Sequence, residues 1–431
     1  MSAAVISQAP AAAPATSTVR PGLLANDRSS TSSAQSSDTL YDAAEAKHLE
    51  PAAHKLRKQF FHLHHHHSSA NSSKESVAVV EERSASTKRT KTFIKSFKYL
   101  NNLTPKQVDD FMASYVIYNL DWKDEPAMIA ALGPDYKQRV GDSLRAYYGV
   151  MNHLCALGSV EKMYIPPLMD KHVSVLDNQL LYEESIARDL GLKPGDRVLD
   201  IGCGRGRVAA HMAKYSGAHI TGINIDPNQL AQARAWNKEQ GLSNTFVERD
   251  QNDLPLPFED ASFDAFYQIQ AFSLCKDLPA MFREIYRVLK PGARFSMLDW
   301  VSLPAYDPTN EEHAELMRRV KPLIGAVGTP TPAGLEKALA DAGFTVTKSD
   351  NASVGGLQAP LIDKVDIYFR AVRQMILGLV RVHVLPKHFK TLINRLCLDG
   401  QAFVKMDEMR LISTSYRIIA QKPLDAPATT A

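Results

Sequence analysis

Between Val198 and Trp300, short apolar runs alternate with stretches whose apolar residues recur every three or four positions, the pattern of strands alternating with helices. The run Val198-Leu199-Asp200-Ile201 predicts a first strand that ends in the turn Gly202-Cys203-Gly204-Arg205-Gly206. A helix through Ala209, Ala210, Met212 and Ala213 follows, and then a second strand over Ala218 to Ile225. Asp226 as N-cap and Pro227 at the first helical position start the next helix, which carries Leu230, Ala233 and Trp236 and stops at Gly241. A third strand is predicted over Thr245 to Arg249, a fourth from Phe263 to Ile269 and a fifth over Phe295 to Trp300. Between the last two, Asp277 to Leu289 has an apolar stripe at Leu278, Met281, Phe282, Ile285 and Leu289 and is stopped by Lys290-Pro291-Gly292. This alternation implies an α/β fold. The sheet expected is doubly wound, mostly parallel and Rossmann-like, with helices on both faces and ligands at the carboxyl ends of the strands.

The flanks have other patterns. Thr104-Pro105-Lys106-Gln107 is a capping box, and Val108, Phe111, Met112, Tyr115 and Val116 form the stripe of the helix it starts. Helical text continues from Tyr147 to Leu157, and Met163-Tyr164-Ile165-Pro166-Pro167 is a rigid connection suited to one wall of a pocket. After Trp300 a helix is predicted from Pro332 to Ala342, ended by Gly343. The segment Val365 to Val384 is apolar but broken by Arg370, Arg373 and Arg381, too charged to span a bilayer. It reads as a packed helix or as a basic amphipathic face on a membrane surface. The organisation expected is a low-complexity segment at 1–90, a helical N-terminal cover at 91–190, a core at 191–305 and an α+β C-terminal extension at 306–431.

Composition changes the picture at few points. The first 90 or so residues are rich in Ser, Ala, Pro and Gln and offer too little apolar surface to offset ordering entropy, so they are expected to be disordered. Asp and Glu are absent before Asp27, as in a transit peptide, but Arg is scarce there and no apolar signal core follows. The tract His62 to His67 lacks partner ligands at fixed spacing and reads as a solvated run, and no metal site is expected. Cys155, Cys203, Cys275 and Cys397 form no C-x-x-C pair, which fits a reducing compartment. A net charge of +3 is too small to imply nucleic acid.

The candidate chemistry sits at the strand ends. The turn after Asp200 has the spacing G-x-G-x-G, unlike the G-x-G-x-x-G that makes room for a dinucleotide pyrophosphate. A cofactor with an amino-acid tail, a sulfonium and an adenosine needs close backbone approach and a carboxylate near its cationic end, so S-adenosylmethionine is the expected ligand. Its contacts are expected from Asp200, Gly202, Cys203, Gly204 and Gly206, from Asn224 and Gln229 at the ribose, from Asp250, Gln251 and Asn252 at the adenine, and from Gln268. Cys203 reads as a packing residue of the turn, since no nearby base marks it as a nucleophile.

The ordered set of glycine turn, Asn224, Asp250, Phe263-Asp264 and Leu289-Lys290-Pro291-Gly292 resembles the class I S-adenosylmethionine-dependent methyltransferases, from Gly195 to about Trp300. Within them, Glu284-Ile285-Tyr286-Arg287-Val288-Leu289-Lys290-Pro291-Gly292-Ala293 followed by Asp299-Trp300 is similar to the sterol 24-C-methyltransferases, which carry Glu-Ile-Tyr-Lys-Val-Leu-Lys-Pro-Gly-Gly and a strand ending Glu-Trp. Tyr147-Tyr148, Gln229, Gly343-Phe344 and the stretch Ile418 to Pro423 extend the likeness. The family's Tyr-Glu-Tyr-Gly-Trp-Gly stands against Cys155 to Val160, and its Ile-Glu-Ala-Thr-Cys-His against Ile269 to Leu274, so a carboxylate and a histidine are replaced.

The resemblance implies methyl transfer to a sterol or related isoprenoid lipid at carbon, which passes through a carbocation that aromatic faces or anions stabilise and a base quenches. Asp299, Gln270, Tyr147 and Tyr148 are the expected catalytic residues. The alternatives are an O- or N-methyltransferase acting on a small molecule or terpenoid acid, and a binding module that has lost catalysis. The partners expected are a hydrophobic small molecule, a membrane surface touched peripherally and a second copy of the chain. The expected location is cytoplasmic or peripheral on the endoplasmic reticulum or another lipid surface.

Overall fold

The computed structural model describes residues 92–157 and 162–425. The expectations for residues 1–90, the histidine tract and the positions Gly158, Ser159 and Val160 lie outside the described residues.

Seven strands form one sheet in the order β3-β2-β1-β4-β5-β7-β6, where β1 is Arg197–Ile201, β2 His219–Asn224, β3 Thr245–Glu248, β4 Phe263–Ile269, β5 Leu289–Ser302, β6 Thr345–Asn351 and β7 Ile412–Gln421. The first five pair in parallel, with Val198 opposite Ile220 and Phe266 opposite Phe295. β7 runs antiparallel to β5, with Leu298 opposite Arg417, and β6 antiparallel to β7. The sheet is therefore mixed. Apolar patterning does not mark β6 and β7: β6 has no fully buried residue, and β7 carries the polar Ser413, Thr414 and Ser415.

The inner strands β1, β2 and β4 are largely buried because both faces of the sheet are covered. On one face Phe266, Phe295 and Met297 pack with Phe282, Ile285, Leu339 and Phe344 from helices α7 (Leu278–Val288) and α9 (Pro332–Asp341) and the turn after them. On the other, Val198, Ile220 and Leu298 meet Tyr182 and Ile186 of α4 (Val175–Leu190), Met212 of α5 (Arg207–Ser216) and Leu230 of α6 (Pro227–Glu239).

The helix begun by Thr104, α1 (Pro105–Ala113), has the expected capping box. It ends sooner than its stripe implied: residues 114–119 tighten into a 3₁₀ helix, which carries Val116 out to 53% exposure. Two further helices follow, α2 (Glu125–Leu132) and α3 (Tyr136–Leu157). Helix α8 (Glu311–Ile324) packs on the 3₁₀ segment and on α12 (Gly400–Glu408). The apolar segment expected at Val365 to Val384 is helix α10 (Ala359–Arg381), which packs on α11 (His388–Leu396) and α12. Among the described residues no helix is long and apolar enough to cross a membrane.

Candidate functional site

The turn after β1 is shaped by three glycines at positive φ, Gly202 at 77°, Gly204 at 52° and Gly206 at 66°. A side chain at Gly202 would place a Cβ 2.4 Å from that of Ala271, so only glycine lets the turn pass this close to the β4 loop. The amides of Gly202 and Cys203 both donate to the Ile223 carbonyl, at 2.9 and 3.0 Å, which ties the turn to β2. Gly206 then opens α5 with no side-chain cap.

A cleft open to solvent lies against this turn. Asp200, Gly202, Cys203, Gly204 and Gln229 line it, together with Arg205, Arg207 and Tyr267. Asn152 of α3 and the connection Lys162-Met163-Tyr164 complete the wall. Asp200 is almost wholly buried and accepts a 2.9 Å hydrogen bond from the Tyr267 hydroxyl. Burial pushes its carboxyl up to about 7, with the Tyr267 bond opposing the rise and Glu183 adding to it. The Asn224 amide donates to Gln229 Oε1 at 3.3 Å, which brings the second strand's end to the first turn of α6.

Beyond the end of β3, Asn252 receives the Lys276 amide at 2.7 Å and donates to the Leu274 carbonyl, while Asp250 accepts from the Asn252 backbone at 2.8 Å. Gln251 donates to the Ala271 carbonyl at 2.9 Å, and its own amide oxygen is buried without a partner.

Neither Gln268 nor Gln270 is among the residues that line the cleft. Gln268 is fully buried, accepts the Ala271 amide and donates to Asp299 Oδ2 at 3.1 Å, so it braces the loop after β4 from behind. Gln270, at φ 52°, accepts from the Ile165 amide at 3.0 Å and donates to the carbonyls of Ile165 and Thr414, both at 2.8 Å. Its amide is committed at both ends, which makes it a fastener between the pocket wall and β7.

Asp299 lies in the last third of β5, 3% exposed, and accepts backbone N–H groups of Phe272 and Trp300, each at 2.8 Å. Burial outweighs these bonds and pushes its carboxyl up to about 7. Its charge is felt by Tyr148, whose hydroxyl is driven up to about 12, first by burial and then by Asp299. Tyr148 stands edge-on to Tyr147 with ring centres 5.0 Å apart, and Tyr147 stands edge-on to Tyr115 and Tyr118, each at 5.3 Å. These rings, from α3 and the 3₁₀ segment, form one aromatic cluster beside a buried carboxyl.

A second buried cluster has no counterpart in the sequence expectations. Glu183 of α4 is fully buried and accepts from Lys162 Nζ at 2.6 Å, from the Tyr164 hydroxyl at 2.7 Å and from His211 Nδ1 at 2.7 Å. It anchors two of the cleft's lining residues. The available signal was a carboxylate on the buried stripe of α4, in step with Gln179, Ile186 and Leu190.

The family model for a methyltransferase domain matches residues 199–297. The chain is 31% identical over 252 residues to a botryococcene C-methyltransferase of Botryococcus braunii, covering 57% of this chain and 66% of that protein. It is 28% identical over 268 residues to a sterol 24-C-methyltransferase of Pneumocystis carinii, covering 56% of this chain and 70% of that protein. Among solved structures, the cyclopropane synthase MmaA2 of Mycobacterium tuberculosis superimposes with a TM-score of 0.50 at 16% identity, over 61% of this chain and 90% of that one, a likeness of fold.

Proposed function

Because this chain is an S-adenosylmethionine-dependent methyltransferase with the class I fold, we propose that it methylates carbon in an isoprenoid alkene, a sterol side chain or an open-chain terpenoid. The residues of the cleft and of the neighbouring strand ends fit that cofactor. The three glycines allow its close approach, the paired amides of Asn224 and Gln229 suit ribose hydroxyls, and the unpartnered Gln251 oxygen suits an exocyclic amino group. When bound, the cofactor supplies an electrophilic methyl group on sulfur.

The observation that carries the carbon-methylation reading is the Asp299 carboxyl, buried toward the carboxyl end of β5 and electrostatically coupled to Tyr148. A carbocation formed on an alkene needs electron-rich faces, which Tyr147 and Tyr148 supply, and a base to remove a proton, which Asp299 supplies. The buried tyrosine cluster keeps water from the cation. The relatives named as C-methyltransferases support this assignment. A lipid acceptor also accounts for Met375, Val382 and Val384, at 59%, 66% and 66% exposure, beside the exposed cations Arg381 and Lys387, as a face that rests on an anionic membrane.

Incubation of the protein with methyl-labelled cofactor and, in parallel, squalene, sterols with an unsaturated side chain and terpenoid acids tests the proposal. Label in an alkali-stable product with a new carbon–carbon bond is expected. Label confined to alkali-labile methyl esters would overturn it.

A further inference from the structure

We propose that Asn152 is a cofactor-binding residue, its amide oxygen accepting a hydrogen bond from the α-ammonium group of S-adenosylmethionine; this rests on the cleft being the cofactor site. Asn152 stands on α3, in the N-terminal helical part of the chain and far in sequence from the glycine turn. It lines the same cleft as Asp200 and Gly202 to Arg205, at 4% exposure. Its Oδ1 is buried and has no hydrogen-bond partner. Folded proteins leave few such atoms unpaired, because desolvating an amide oxygen without a donor is costly.

The surrounding groups define the missing donor. Asp200 Oδ2 accepts from Tyr267 and Gln229 Oε1 from Asn224, whereas the buried Asn152 Oδ1 has no partner at all. Arg205 and Arg207 line the cleft as cations and suit the carboxylate of an amino-acid tail, while Lys162 is held by Glu183. The same tail brings an ammonium group, and a neutral amide oxygen receives it without burying another charge. The adjacent His153 does not compete: burial, Arg205 and Lys95 hold its imidazole down to about 4, and its Nδ1 lies 3.0 Å from Ser96 Oγ.

Calorimetry on the full chain tests the assignment with two nucleosides, S-adenosylhomocysteine, which keeps the amino-acid tail, and 5′-methylthioadenosine, which lacks it. Asn152→Leu should weaken the first about tenfold or more, the loss of one charge-assisted hydrogen bond, and leave the second unchanged. Asn152→Asp should restore the difference between the two, and Asn152→Thr, smaller and still polar, serves if the leucine variant melts early. Equal affinity of wild type and variants for S-adenosylhomocysteine, or parallel loss of both nucleosides, would overturn the role of Asn152. Wild-type protein that binds neither nucleoside would overturn the cofactor site itself.

Discussion

Asp200 and Asp299 stand toward the carboxyl ends of β1 and β5, each buried and each with its carboxyl pushed up to about 7. The unfolded chain would titrate them near 4, so between these values the folded protein holds protons that the unfolded chain releases. The associated stability is fully present below about 4 and is lost as pH rises through about 7, on the order of a few kcal/mol for each carboxyl. Urea unfolding at pH 5 and pH 8 should show Asp299→Asn with a smaller loss of stability than wild type. Activity has the opposite slope, because the base must be ionised: turnover should rise through pH 7 and fall about a hundredfold or more in Asp299→Asn. Cofactor affinity should hold in that variant, since Asp299 is not among the residues lining the cleft. Unchanged turnover would remove Asp299 from the chemistry.

Elements were legible where a chemical punctuation mark adjoined an apolar run. Thr104, Asp226 and Asp277 each cap the helix they were expected to start, and Gly241, expected to stop α6, follows its end in the left-handed conformation. Strand β7 was hidden because its neighbours on both sides permit a run of serine and threonine, Ser413 to Ser415, whose hydroxyls bond to one another and to Asn351 and Gln358. Gln268, expected at the cofactor, and Gln270, expected among the catalytic residues, both brace the loop after β4, and local sequence does not separate bracing from ligand contact. Lys422, just past β7, illustrates a long-range cap: its Nζ donates to the carbonyls of Tyr286 and Leu289 at the end of α7, at 2.7 and 2.8 Å, and lies 4.4 Å from the Tyr286 ring centre. Lys422→Met leaves those carbonyls without that donor and should cost about 1–3 kcal/mol in chemical denaturation. A variant as stable as wild type would deny the cap any weight.

For the whole molecule, the glycine-turn cleft and the aromatic cluster draw on segments remote in sequence. Asn152 and Tyr148 come from α3, Lys162 and Tyr164 from the connection that follows, and Asp299 from β5. The helical N-terminal part is thus part of the site. The membrane face proposed at the end of α10 is tested by co-sedimentation with vesicles of neutral and of anionic lipid. Binding to the anionic vesicles that weakens in salt and falls several-fold in a Val382→Asp, Val384→Asp double variant is expected. Indifference to both lipid charge and substitution would remove that surface from the account.

In space β7 separates β5 from β6, although along the chain β6 comes first. During synthesis, then, a growing polypeptide that has emitted β6 still presents the bare rim of β5, and β6 has no neighbour to zip onto until residues 412–421 emerge. A ribosome stalled between these points would carry a half-knit sheet, sticky along one border and a ready client for chaperones.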